Sequence, residues 1–309
     1  MAEATLADFK TRPRRDDLAL PLTKASSTGD IAALGTLLED PAWIKIATEE
    51  QHTIYDYFDK DASTGQARVL AMPYTNLQRV VLKTAIDGHA KAMSMLLEFA
   101  TKKCGLESTD ALTYWTVSQT VRAGQAAVLD VLIRADPTIL TQEMKYSGLP
   151  LDEAFNRRKW EVVTVLLEHG IDARTLRKRP DYFSYRKHPL SLAPQAGGTR
   201  MAELLLAQKF PVKGSGALHS AAELGRLDIM LLLLEHHADV NELLCEQGLI
   251  MAEDKPLFAS WTPLHFAVSG GQLDAMELLQ RHGAHLNVRD KNGKTAAQLL
   301  NERKQADDS

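Results

Sequence analysis

The sequence predicts an all-α fold, short helix–turn–helix couples stacked side by side into one solenoid, with long loops between some couples. Three observations predict it. First, apolar residues recur at helical spacing in short stretches, as in Leu227, Met230, Leu231 and Leu234, and again in Leu273, Met276, Leu278 and Leu279. Second, a glycine breaks the apolar pattern between neighbouring stretches, as at Gly225 and Gly271. Third, a turn-and-helix start worded Thr262-Pro263-Leu264-His265 returns in altered form along the chain. Helices this short are not stable alone. Stacked, they bury their stripes in one continuous core, and stability rests on contacts between neighbours.

The elements follow in order. Residues 1–18 form an N-terminal arm, and Pro21-Leu22-Thr23-Lys24-Ala25 opens the first couple, which runs through Gly29 to Leu37 and Leu38. Residues 39–77 are a long insertion holding Trp43, Tyr55, Tyr57, Phe58 and Tyr74. Gly88-His89 precedes Met93, Met95, Leu96 and Leu97 in the second couple. Gly124 precedes Val128, Val131 and Leu132 in the third, with Trp115 placed at the cap position. Pro150, Pro189 and Ala217 open three further first helices, and proline at the first helical position gives up an N–H that has no partner there anyway. A second insertion, residues 242–261, separates the sixth couple from the seventh, which starts at Thr262. Loops of such length tend to carry function or lack order. Thr295 opens a last helix, Ala296 to Arg303, whose polar finish suits a terminal cap; residues 304–309 are a polar tail. Residues 19–303 are thus expected to form a single solenoid of about seven couples plus a C-terminal cap helix.

The stretch Thr262-Pro263-Leu264-His265-Phe266-Ala267 and its partner Ala217-Leu218-His219-Ser220-Ala221-Ala222 resemble the ankyrin repeat, whose T-P-L-H-x-A pattern returns about every 33 residues. The resemblance is clear over residues 147–303 and degenerate over 19–140. The histidine position is assigned to Thr23, Leu82, Ser118, Asp152, Ser191, His219, His265 and Gln298. It implies a module that binds a protein partner on a concave face made of loop tips and first helices. Carried over position by position, the contact residues are Tyr114, Arg122, Tyr146, Asn156, Arg157, Tyr185, Lys187, Gln195, Ser215, Glu223, Trp261 and Ser269. Aromatics and arginines are enriched at binding hot spots.

Other chemistry finds little support. The formal net charge of -4 gives no whole-chain case for nucleic acid or an anionic membrane. Two cysteines do not make a disulfide framework, and the N-terminus lacks the pattern of a secretory signal, so a cytoplasmic or nuclear protein is expected. The ten histidines mostly fall where the repeat places them, His219 and His265 as hydrogen-bonding struts and His169, His236 and His282 at second-helix ends. No metal site, cofactor or catalytic residue is assigned. Cys104 follows Lys102 and Lys103, which would favour a thiolate, although a small residue ending a helix is the plainer interpretation. Residues 174–188 interleave Arg174, Arg177, Lys178, Arg179, Arg186 and Lys187 with Tyr182, Phe183 and Tyr185. Such a stretch can hold an acidic partner, hold a phosphate ligand or pack as a loop; nucleic acid is disfavoured by the acidic chain. The expected function is partner binding through the concave face and loop fingers. The alternative is an enzyme or small-molecule binder using a pocket between that groove and the long insertions, since fold does not settle function.

Overall fold

The structure, a computed structural model, describes residues 19–60, 67–143, 148–174, 188–195, 198–243 and 260–307. By internal packing the chain divides into residues 1–157 and 158–309. Each unit builds two layers, one of first helices and one of second helices.

In the first unit, α1 (Leu20–Thr28) and α2 (Ile31–Glu39) make the first couple. After α3 (Ala42–Thr48) and strands β1 (Glu50–Lys60) and β2 (Ala67–Thr75) come α4 (Asn76–Asp87) and α5 (Ala90–Lys102). The short α6 (Ser108–Ala111) leads to α7 (Tyr114–Ala123) and α8 (Ala126–Ala135), then a 3₁₀ turn at Pro137–Thr141 and α9 (Pro150–Asn156). Helices α1, α4, α7 and α9 pack in series, and α2, α5 and α8 do the same. Leu22, Leu34, Leu77, Met93, Leu96 and Leu129 are fully buried in this core.

The second unit holds α10 (Trp160–Glu168), α11 (Pro189–Leu192), α12 (Thr199–Ala207), α13 (Ala217–Glu223), α14 (Leu227–Glu235), α15 (Pro263–Gly270), α16 (Leu273–Arg281) and α17 (Ala296–Asp307). Here α11, α13, α15 and α17 pack in series against one another, and α10, α12, α14 and α16 form the second row. Leu166, Leu205, Leu233, Leu264 and Leu279 lie in its core.

Five of the first helices, α4, α7, α9, α15 and α17, share one start device. The residue three places after the cap accepts a hydrogen bond from the cap's own N–H, satisfying a donor that the helix leaves orphaned. His265 Nδ1 does this for Thr262 at 3.2 Å, and Asp152 Oδ2 for Leu149 at 2.8 Å. Gln298 Oε1 serves Thr295 at 2.9 Å, Gln78 Oε1 serves Thr75 at 3.0 Å, and Thr116 Oγ1 serves Thr113 at 3.3 Å. In these five helices the position supplies a side-chain acceptor, and histidine is one of several that serve; His219 in α13 instead donates through Nε2 to the Glu242 carbonyl. This corrects the register assigned to two couples. The equivalent of His265 is Gln78, where Leu82 was assigned, and Thr116, where Ser118 was assigned. The cap of α7 is Thr113, not Trp115.

Glycines end the first helices for two reasons at once. Gly225 has φ +65°, and a Cβ there would stand 2.4 Å from Oε1 of Gln272, which follows the equivalent glycine one couple later. Gly88 (φ +88°) lies in the same way beneath Gln125, at 2.3 Å. Each side chain reaches back onto the preceding turn; Gln125 Nε2 donates to the Ile86 carbonyl at 3.0 Å.

The 39–77 insertion is not a plain loop. It holds α3 and an antiparallel hairpin, with Glu50 opposite Thr75, Ile54 opposite Met72 and Lys60 opposite Ala67. The run His52 to Phe58 is dense in Thr, Ile, Tyr and Phe, residues suited to a strand. Asn76 Nδ2 donates to the Ile46 carbonyl at 2.8 Å, tying α3 to the start of α4. Apart from this hairpin, a bridge residue at Gly148 and an isolated bridge between Arg289 and Thr295, the described residues are helical or irregular.

Candidate functional site

The first helices α9, α11, α13 and α15 bury their bodies and open at their ends. Pro150 to Phe155 of α9 are buried, whereas Asn156 is half-buried and Arg157 exposed. Pro263 to Val268 of α15 are buried, whereas Ser269 is exposed. Glu223 at the end of α13 and Gln195 just after α11 are exposed in the same way. These positions precede the inter-helix turn, where the carried-over contact residues were placed. Tyr146, Tyr185 and Lys187 lie outside the described residues, as do most of 174–188 and of the 242–261 insertion. Tyr114 is the first residue of α7, because Thr113 caps that helix, so it follows the cap and does not precede it as the assignment of Trp115 to the cap position implied.

Two assigned contact residues are interior. Ser215 is 1% exposed, and its Oγ accepts from the Ala217 N–H at 3.1 Å, supporting the start of α13. Trp261 is 8% exposed. Its Nε1 donates to Asp290 Oδ2 at 3.3 Å, its ring stacks on His265 at 6.0 Å between centroids, and it meets Phe266 edge-on at 5.3 Å. Burying a large aromatic with its one polar atom paired is a packing role. Both side chains are withdrawn from solvent. The earlier assignment followed position in the repeat, which does not report burial.

The strut histidines sit beside this tryptophan. His219 Nε2 donates to the Glu242 carbonyl at 2.9 Å, and the ring meets Phe266 edge-on at 5.4 Å. Full burial pushes its pKa down to about 4, against smaller opposing contributions from the Glu242 and Trp261 backbone and the Asp239 charge. Burial lowers His265 too, opposed by the backbone at Lys294 and Val288 and by Asp290. Both rings are neutral at pH 7 and act as polar pins in an apolar wall.

A charged cluster closes the face of the first unit. Glu153 is buried in α9 with its side chain 6% exposed, and one oxygen, Oε1, accepts from two guanidiniums. Arg122 Nε on α7 lies at 2.8 Å and Arg157 Nε at 2.5 Å. The Arg122 guanidinium also stands over the Trp115 ring, 5.8 Å from its centroid. Sequence position singled out both arginines but missed Glu153, whose carboxylate holds them together. The signal was an acid one turn before Arg157, at i,i+4 spacing.

Burial pushes the Cys104 thiol up, opposite to the effect expected from Lys102 and Lys103, so the geometry does not support an activated thiolate. Among the described residues no three His, Cys, Asp or Glu side chains are grouped to hold a metal ion. No described helix is long and apolar enough to cross a membrane.

Couples of short helices in two rows, with acceptor-locked starts and glycine-ended first helices, define an α-helical repeat protein. The family model for ankyrin repeats in three copies matches residues 151–244, and the model for ankyrin repeats in many copies matches residues 218–280. Residues 151–280 are thus matched as ankyrin repeats. It is 27% identical over 234 residues to the ankyrin repeat protein nuc-2 of Neurospora crassa, covering 74% of this chain and 20% of that protein. It is 36% identical over 99 residues to the 2-5A-dependent ribonuclease of Mus musculus, covering 32% of this chain and 11% of that one. The chain thus spans a small part of the length of these curated relatives. Among solved structures it is similar to the ankyrin repeat domain of Bcl-3, at 17% identity and a TM-score of 0.40, over 72% of this chain and 97% of that one. Ankyrin repeats are generally protein–protein interaction modules.

Proposed function

We propose that this chain binds a protein partner through the exposed ends of its first helices and the turns that follow them. The observation that carries it is the alternation within α9, α11, α13 and α15. Each buries its body and leaves solvent-facing side chains at one recurring position: Arg157, Gln195, Glu223 and Ser269. Side chains at that position are released from packing and differ in charge and shape from one couple to the next. Specificity is built by such variation on a constant scaffold. The stretch 174–188, basic and aromatic in sequence, is proposed as a second contact for an acidic partner.

The test is affinity capture from cells that make the protein, with the native chain and a variant carrying alanine at Arg157, Gln195, Glu223 and Ser269. We expect a protein retained in stoichiometric amount by the native chain and lost by the variant, with both chains melting alike. A control variant at Glu277 and Arg281, an exposed ion pair on α16, should retain the partner. Equal capture by all three chains would overturn the proposal.

A further inference from the structure

We propose that Arg122 and Arg157 form the seat for a carboxylate side chain from an acidic segment of the partner; this rests on the partner-binding function above. A single ion pair would satisfy Glu153, yet two guanidiniums converge on its one oxygen. Both approach through Nε, at 2.8 and 2.5 Å. Nε–H and one terminal N–H share the edge of the planar guanidinium that faces Glu153, so the end-on edge, with one N–H from each terminal amino group, is left over for a second acceptor. Among the described residues neither arginine makes another hydrogen bond or ion pair, beyond the contact of Arg122 with the Trp115 ring.

Arginine presents five N–H donors in a rigid fork, and a carboxylate accepts two in parallel. Glu153 therefore acts as an internal template that fixes two forks on neighbouring first helices while using one donor of each. The charge count selects the ligand. Two guanidiniums and one carboxylate leave an excess of one positive charge, which a monoanionic carboxylate neutralises. A phosphate dianion would overshoot it. Access agrees, because the Arg157 side chain is 46% exposed and that of Arg122 26%, while the templating Glu153 is buried. The Trp115 ring beneath Arg122 limits the conformations over which that fork can spread.

The test uses the full chain and fluorescence anisotropy at low ionic strength. The probe is a fluorescein-labelled peptide of alternating Glu and Ala, with Gln/Ala and phosphoserine/Ala counterparts. The native chain should bind the Glu probe about tenfold more tightly than the Gln probe, the size of one charge-assisted hydrogen-bond pair. Arg122→Gln and Arg157→Gln should each weaken the Glu probe about tenfold, and Arg157→Lys less, since it keeps the charge and loses the fork. Glu153→Gln should tighten it, because an acceptor stays in place while the competing negative charge is removed. A purely structural ion pair predicts no such gain. The Glu/Gln comparison on the native chain needs no variant, so a destabilised variant does not shield the proposal.

Equal binding of Glu and Gln probes would overturn it. So would native-like binding by a folded Arg122→Gln/Arg157→Gln chain, or a phosphoserine probe held more than about tenfold tighter than Glu through the same arginines. A chain that captures its partner but ignores the Glu probe refutes this seat and leaves the partner-binding function standing. A chain that captures no partner refutes that function whatever the probe does.

Discussion

Acidification should unlock the second unit, and His219 sets where. Its ring is buried, and Nε2 is committed as donor to the Glu242 carbonyl, so a second proton must go on Nδ1, an atom with no hydrogen-bond partner in that interior. The folded pKa is about 4 against an ordinary 6.5. In the unfolded chain the ring takes up its proton near the ordinary value, so between these two limits the unfolded state holds more protons. Stability from this group is fully present above about pH 6.5, falls as the pH drops towards about 4, and is level below. At about 1.4 kcal/mol per pH unit across that gap, the loss approaches roughly 3 kcal/mol. His265, also lowered, acts in the same direction. Urea unfolding of the native chain and of His219→Gln, at steps from pH 8 to 4.5, measures it. The native chain should lose stability through the window, and the variant should lose about 2 kcal/mol less across it, being less stable at pH 8 to begin with. Parallel curves for the two chains would refute the argument, since the pH dependence would then come from other groups.

The remaining expectations concern packing. Leu279→Ala, at a fully buried site in α16, should cost about 2–5 kcal/mol by thermal or urea unfolding; a loss below about 1 kcal/mol would mean that this helix is not in the core. Trp261→Ala should cost about 3–5 kcal/mol while leaving affinity for the partner unchanged under conditions where it stays folded, since the side chain is interior. A selective loss of affinity would reverse that assignment. Gly225→Ala should destabilise by more than about 1 kcal/mol, because alanine is strained at φ +65° and its Cβ meets Gln272; adding Gln272→Ala should recover the contact part of the loss and not the conformational part.

The helical repeat was legible because its signals are local. Apolar spacing and turn residues act within one couple, and Thr262-Pro263-Leu264-His265 states the start device in its most readable form. Where the device is spelled differently it was misread. Gln78 and Thr116 supply the same acceptor as His265, but a search for the histidine's neighbours passes over them and settles on Leu82 and Ser118. What distinguishes these residues is a hydrogen bond to the cap, seen once the backbone is placed. Burial was the second thing hidden. Trp261 and Glu223 both occupy contact positions in the repeat, yet one is enclosed by His265, Phe266 and Asp290 and the other faces water. That difference is set by residues up to 29 positions away in the chain, beyond what a local pattern encodes. Glu153 was missed for a related reason, as its importance comes from Arg122 on another helix. The hairpin of β1 and β2 has no helical period, and its aromatic and β-branched residues carry a strand signal instead.

The most direct test of the account is capture of the partner by chains that differ only at the exposed ends of the first helices. A folded chain with alanine at Arg157, Gln195, Glu223 and Ser269 should lose the stoichiometric partner that the native chain and the Glu277/Arg281 control retain. If the altered chain keeps that partner in full, the exposed ends of the first helices are not where this protein binds.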